Sequence, residues 1–170
     1  MKTELKYGLI AGIGLSLWAV AEYALGFHTA NIRVGKITGY VAMVIPICAI
    51  YYGIYDAREK RFKGVITFTE GFKIAIIISL IAAAILTAFY VFYYQILHPN
   101  WLADSVAYEK AHMAAEGKSE AEIGKRIAET TRASTLPIRL FTVFTTTMFT
   151  NGIMSALTAA VLRQDTPTRV

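Results

Sequence analysis

Glu22 is the residue whose chemical type is most at odds with its surroundings, an acid inside the apolar run from Tyr7 to Phe27. Carrying a charge to the centre of a bilayer costs up to about 3 kcal/mol on insertion scales, so an ionisable residue there marks a proton relay, an ion path or a buried structural pair. At a rise of about 1.5 Å per residue, Glu22 falls about 7.5 Å beyond the middle of its run. At matching depth the other apolar runs carry Tyr40, Tyr90 and Thr146, with Thr142 a turn higher and Arg139 another turn beyond. These six residues are expected to form a polar layer in which Arg139 is the counter-charge. In one reading Glu22 titrates within a relay. In the other its carboxyl, bonded to tyrosine and threonine hydroxyls or paired with Arg139, fixes helix register. The predicted spans hold no second acid for a relay to use, which favours the structural reading.

Two other patterns carry chemistry. Thr142, Thr145, Thr146, Thr147 and Thr150, followed by Asn151, Ser155 and Thr158, could line an aqueous path in an oligomer. At 100° per residue they spread around most of a helix, and hydroxyls in apolar helices commonly bond their own backbone or a neighbour, so packing is the expected use. Glu109 and His112 have the Glu-x-x-His spacing of a di-iron helix, extended by Glu116. Such a site needs a second copy and further inward acids, and only His28 and His98 remain elsewhere, so a solvated helix surface is expected and no metal or other cofactor is assigned. No nucleophile constellation, phosphate loop or dinucleotide fingerprint appears, and the chain is not expected to be an enzyme. The single cysteine, Cys48, lies mid-run and reads as a small core residue.

The elements that must position these residues are built around Phe72 to Leu97, an apolar stretch whose only charge is Lys73. Its helical length exceeds the roughly 30 Å hydrocarbon core of a bilayer. Three more spans are expected at about residues 7–27, 37–55 and 137–162. The first follows a short basic leader and is too long for a cleaved signal segment, and its Gly8, Gly12 and Ser16 form a small-residue row for close helix packing. A link from His28 to Lys36 leads to the second, which Pro46 should kink, with Gly35 and Gly39 at its start and Tyr51, Tyr52 and Tyr55 at its end. Residues 56–73 make a basic return loop in which Gly64 suits a helix C-cap and Thr67 to Glu70 a capping box. Residues 100–136 read as a helical hairpin: one helix from about Leu102 to Glu116, stopped by Gly117, and a second opened by the Ser119 to Glu122 capping box. Gly152, Ala156 and Ala160 give the fourth span a small-residue row, and QDTPTRV reads as an unstructured tail.

Composition agrees with an all-α membrane protein forming one domain over 1–170: 55% of the residues are hydrophobic and 17% charged. The net charge of +5 sits beside apolar spans, where it orients a membrane protein and meets lipid head groups, so no nucleic acid is expected as a partner. Arg58, Lys60, Arg61, Lys63 and Lys73 crowd the return loop, whereas the 100–136 segment mixes its positives with acids. The positive-inside rule then places both termini and the return loop in the cytoplasm and the hairpin on the extracytoplasmic side.

With its return loop YYGIYDAREKRFKGVITFTEGFK, its hairpin motif AAEGKSEAEIGKRI and its four spans, the chain resembles a bacterial membrane family catalogued as a domain of unknown function, DUF 4199. The resemblance covers nearly the whole chain, is most specific over GVITFTEGF, and implies a four-span architecture but no activity and no residue roles. The expectation is a multi-pass protein of a bacterial inner membrane acting as a non-enzymatic interaction or assembly protein, with a protein partner or further copies of itself in the bilayer. The alternative is a small oligomeric channel or proton-coupled transporter working through Glu22.

Overall fold

The computed structural model describes residues 2–164, and the described residues fold almost entirely as helices: α1 (Lys2–Ala24), α2 (Ile32–Ala42), α3 (Val44–Lys60), α4 (Phe68–Phe92), α5 (Trp101–Ala115), α6 (Glu120–Arg132) and α7 (Leu136–Leu162). Four segments are long and apolar enough to cross a membrane: Lys2–Ala24, Ile32–Lys60, Phe68–Leu97 and Leu136–Leu162. The α4 helix packs against α1, α3 and α7, and supplies Ile74, Ala75 and Ile78 to a core completed by Ile50, Ile54 and Ala159.

Close approach of α1 to α4 follows from the small-residue row. A Cβ on Gly8 would lie 2.6 Å from Cβ of Ile81, and one on Gly12 2.7 Å from Cβ of Ile85, so only glycine fits. Both partners advance by four residues together, which makes α1 and α4 parallel; their C-terminal ends therefore meet at the same end of the bundle. Across the α4–α7 contact the hydroxyls of Ser79 and Ser155 lie 3.4 Å apart. The small-residue row of α7 is one position away from the expected one. Asn151, Ser155, Ala159 and Leu162 are buried, whereas an added Cβ at Gly152 meets nothing within 4 Å, because the helix turns its Ser155 face to Ser79.

The first span starts within the expected leader and ends at Ala24. The second begins inside the expected link, at Ile32, and breaks at Met43, three residues before Pro46. Proline cannot donate to a carbonyl four residues back, and the chain there makes the tighter Met43 N–H to Tyr40 carbonyl bond of 3.2 Å. No residue of α2 is buried, in contrast to α3. Cys48 is exposed on α3 and is not a core residue.

Both capping boxes form as expected, at Thr67 with Glu70 and at Ser119 with Glu122. The α3 helix stops at Lys60, four residues before Gly64, which instead serves a turn at φ 89°. Gln164 is not part of a loose tail: its backbone exchanges bonds of 2.9 and 3.0 Å with Ile66 in an isolated antiparallel bridge. The remainder of that predicted tail, 165–170, lies outside the described residues. Beyond α4 a π-helical turn, Tyr93–Leu97, ends at His98, and α5 and α6 then pack together as the hairpin. It is pinned by Glu109, which accepts from Arg126 Nε at 2.7 Å and Thr130 Oγ1 at 2.9 Å. The Arg126 bond is the main cause holding the Glu109 carboxyl below its ordinary pKa.

Candidate functional site

Glu22 is buried, but it sits nearer the end of its helix than the sequence suggests. It lies nine residues past the centre of α1, or about 13 Å along the axis. Its partners come from segments that follow it directly. The hydroxyl of Thr38, in α2, donates to one carboxylate oxygen. Nε2 of His28, in the link between α1 and α2, lies 3.3 Å from the other. The π-helical turn then brings in Tyr93, 1% exposed, whose hydroxyl bonds Nδ1 of His28 and lies 3.2 Å from Nδ1 of His98. Nε2 of His98 lies 2.8 Å from Oδ2 of Asp104, in α5, a side chain 40% exposed. A continuous polar chain thus runs Thr38, Glu22, His28, Tyr93, His98, Asp104, from a buried acid to one in contact with solvent.

Local sequence explains how these groups meet. Gly26, at φ 73°, turns the chain after α1 and accepts the Asn31 N–H at 2.8 Å, which folds His28 back over the helix end. The extra residue of a π turn rotates the end of α4 so that Tyr93 faces α1, its ring 6.0 Å from that of Tyr23. Pro99 then prevents further helix, and His98 tucks inward, 3% exposed.

Proton counting gives the chain its chemistry. When His28 and His98 donate from Nε2 to ionised Glu22 and Asp104, both Nδ1 atoms are lone pairs if the rings are neutral. The Tyr93 hydroxyl donates to only one of them, leaving lone pair against lone pair at the other. One extra proton completes every bond, either on an Nδ1, making one imidazolium, or on a carboxyl facing an Nε2 lone pair, so the intact chain shares a single added proton. Burial holds the His28 imidazolium below its ordinary pKa, Glu22 opposing and His98 adding to the shift, which disfavours the charge at His28. Lys36 shares a 240 Å³ cavity with His28, Tyr90, Tyr93 and Trp101.

The predicted polar layer is only partly assembled. Tyr90 lies beside the chain, its ring 5.3 Å from that of Tyr93. Tyr40 points away, 71% exposed, because α2 turns Thr38 and not Tyr40 toward Glu22. Thr142 spends its hydroxyl on the Ile138 carbonyl at 2.8 Å, and Thr146 lines a separate groove with Leu15 and Met43. Arg139 is not the partner of Glu22. It stacks on the indole of Trp101, the first residue of α5, and approaches Tyr94 and Ser134. Glu109 of the Glu-x-x-His pair is spent on the hairpin, and His112 faces Glu116 at 3.4 Å.

Sequence reasoning missed His28, Thr38, Tyr93, His98 and Asp104 as a group. The available signal was that two of the three histidines flank spans on the same side as Glu22. It also missed Glu4, buried on α1 and bonded to Arg61 Nη1 at 3.0 Å, because the leader reads as solvated.

Neither a curated protein nor a solved structure matches the chain. A family model does match, over residues 6–164, and takes in the whole polar chain, the bundle and the hairpin. The chain therefore belongs to the family described as Protein of unknown function (DUF4199).

Proposed function

We propose that this is a multi-pass protein of the bacterial inner membrane, termini in the cytoplasm and hairpin outside, that works without catalysis as a proton-responsive interaction protein. The observation that carries this reading is the polar chain from Glu22 to Asp104, which ties α1, its following link, α2, α4 and α5 together through groups that need one shared proton. Losing that proton breaks one link and frees the hairpin from the bundle, changing the surface offered to a protein partner or a second copy. The orientation is supported by Arg58, Lys60, Arg61 and Lys63, which gather at the opposite end of the bundle.

Transport through Glu22 is the competing reading, and packing disfavours it. Toward the other end the buried face of α1 is closed against α4 by the contacts at Gly8 and Gly12, which leave no room for water.

The test is a distance measurement between spin labels at Gly124 on α6 and Leu157 on α7, with Cys48 replaced, in nanodiscs between about pH 5 and 8, where imidazoles titrate. Gly124 has open space around it and Leu157 is 58% exposed, so neither label disturbs packing. The distance is expected to lengthen or broaden as pH rises in the parent and to be pH-invariant in Tyr93→Phe. An invariant parent, or proton flux in liposomes that Glu22→Gln abolishes, refutes the proposal.

A further inference from the structure

Arg139 sits at the head of α7 with no acidic partner among the described residues. Its Nη1 lies 3.4 Å from the Tyr94 hydroxyl and its Nη2 3.3 Å from Ser134 Oγ, long contacts to neutral groups, while its Nε is buried with no bond at all. A half-buried guanidinium left in this state is a strong anion site, because its planar fork matches the oxygens of a phosphate or carboxylate. It faces a 410 Å³ cavity roofed by the hairpin and lined by Tyr94, Arg126, Glu129, Ser134, Thr142 and Val143. Arg126 is already paired with Glu109, so Arg139 is the cation there without a carboxylate of its own.

A second hollow follows on the same face of α7. One turn further down α7, Thr146, Thr147 and Thr150 line a 150 Å³ groove with Leu15 of α1, Leu86 of α4, and Gly39 and Met43 of the second span. Tyr94 and Leu86, one from each cavity, lie two turns apart on α4, and Arg139, Thr142, Thr146 and Thr150 share one face of α7. The groove lies beside the break at Met43, where the span passes from the buried α3 to an α2 with no buried residue. Leu15, Ala42, Met43, Pro46 and Leu86 give the groove a largely apolar wall suited to hydrocarbon, with Asn151 and the threonines on the α7 side. From Arg139 to Thr150 is about 16 Å of axial rise, a length an acyl chain covers.

We propose that the cavity under the hairpin and the groove between α2 and α7 form one site for a membrane phospholipid, its phosphodiester on Arg139 and an acyl chain in the groove. A charged head near the end of a span, at the depth of lipid phosphates, with an apolar slot leading into the bilayer, is complementary to such a lipid in charge and in shape. Glu129, at the rim of the same cavity, would meet a positively charged head-group substituent.

The test uses the full chain in detergent, with lipid binding read by native mass spectrometry and thermal shift. The probes are phosphatidylglycerol, phosphatidylethanolamine, diacylglycerol and inorganic phosphate. Saturable one-lipid binding is expected for the phospholipids and not for diacylglycerol. Arg139→Gln should weaken it about tenfold or more, the worth of a charge-assisted pair. Gly39→Leu is the second variant: an added Cβ there meets nothing within 4 Å, so the protein folds and the leucine occupies the groove. It should displace the lipid as well. An equal effect of inorganic phosphate that Gly39→Leu leaves intact would make the site a free-phosphate site and overturn the lipid assignment. Equal binding of diacylglycerol, no binding in the parent, or a dimer that closes the groove when lipid is stripped would each overturn it too. If Arg139→Gln does not fold, Gly39→Leu and the diacylglycerol comparison decide.

Discussion

Removing one oxygen atom, in Tyr93→Phe, is the most economical way to ask whether the polar chain is a unit. The ring is held independently by Tyr23, Phe89, Tyr90 and His98, with centroids 5.3 to 6.1 Å away, so phenylalanine keeps the packing. What is lost is the hydroxyl joining Nδ1 of His28 to Nδ1 of His98. Two buried bonds at about 1 kcal/mol each, with a buried imidazole nitrogen left unpaired, predict a loss of about 2 to 3 kcal/mol. The matched control is Tyr94→Phe, whose hydroxyl makes only a 3.4 Å contact with Arg139 and which should cost less than about 1 kcal/mol. Reversible denaturant unfolding in mixed micelles reads both. A double-mutant cycle of Tyr93→Phe with Glu22→Gln should show coupling between residues that do not touch, carried by His28. If Tyr93→Phe costs no more than Tyr94→Phe, or if its effect simply adds to that of Glu22→Gln, the chain is a set of separate contacts and the reasoning fails.

Other substitutions test the remaining parts. Gly12→Leu places side-chain carbon inside Ile85 and should force α1 off α4, costing about 3 kcal/mol or more in thermal unfolding, whereas Gly152→Ala, with open space around it, should be neutral or stabilise by up to about 1 kcal/mol. The depressed pKa of His28 predicts that its imidazole is less protonated than a free imidazole at the same pH; nitrogen NMR of labelled histidine reads this, and a ring protonated as much as free imidazole contradicts the assignment. Glu109 has its folded pKa lowered, above all by the Arg126 bond, so its contribution is present above the unfolded carboxylate pKa and is lost as pH falls through the folded one. Hydrogen exchange in α5 and α6 should accordingly quicken on acidification below about pH 4.5, and Glu109→Gln should be equally fast at both ends of the range.

The parts of this fold that are legible in sequence are those decided by local rules. The number of spans, the capping boxes at Thr67 and Ser119, the stop at Gly117 and the Gly8, Gly12, Ser16 row follow from spacing alone and are found, although the first two spans begin earlier in the chain than hydropathy puts them. Helix rotation is not local. The buried row of α7 runs through Ser155 and not Gly152, and α2 presents Thr38 and not Tyr40, because these choices depend on which neighbour each helix meets. Glu22 stands out as a lone acid in an apolar run, but its partners are carried by a link, a π turn, the second turn of α2 and the first turn of α5, where no periodicity points inward. Depth matching failed for Arg139 for a related reason: it aligns span midpoints and cannot see that Trp101, from outside the spans, fills the space beside it.

Glu4 and Glu22 change the meaning of the acid that first draws attention. They lie on one buried face of α1, five turns and about 27 Å apart, close to the roughly 30 Å of a hydrocarbon core. If α1 crosses the bilayer along its length, that spacing sets each carboxylate near a boundary, where a charge costs far less than at the centre. Each is also bonded to a group from another element at its own end, Arg61 for Glu4 and His28 for Glu22. Between them the face is Gly8, Ala11, Gly12, Ser16 and Ala19, with the Ser16 hydroxyl donating to the Gly12 carbonyl at 2.8 Å, and at Gly8 and Gly12 the helix packs directly on Ile81 and Ile85. On the proposed reading, a proton that reaches Glu22 by way of Asp104 leaves by the path it entered. On that reading the two acids hold the two ends of α1, and the proton at Glu22 acts only on the segments beyond that end of the helix.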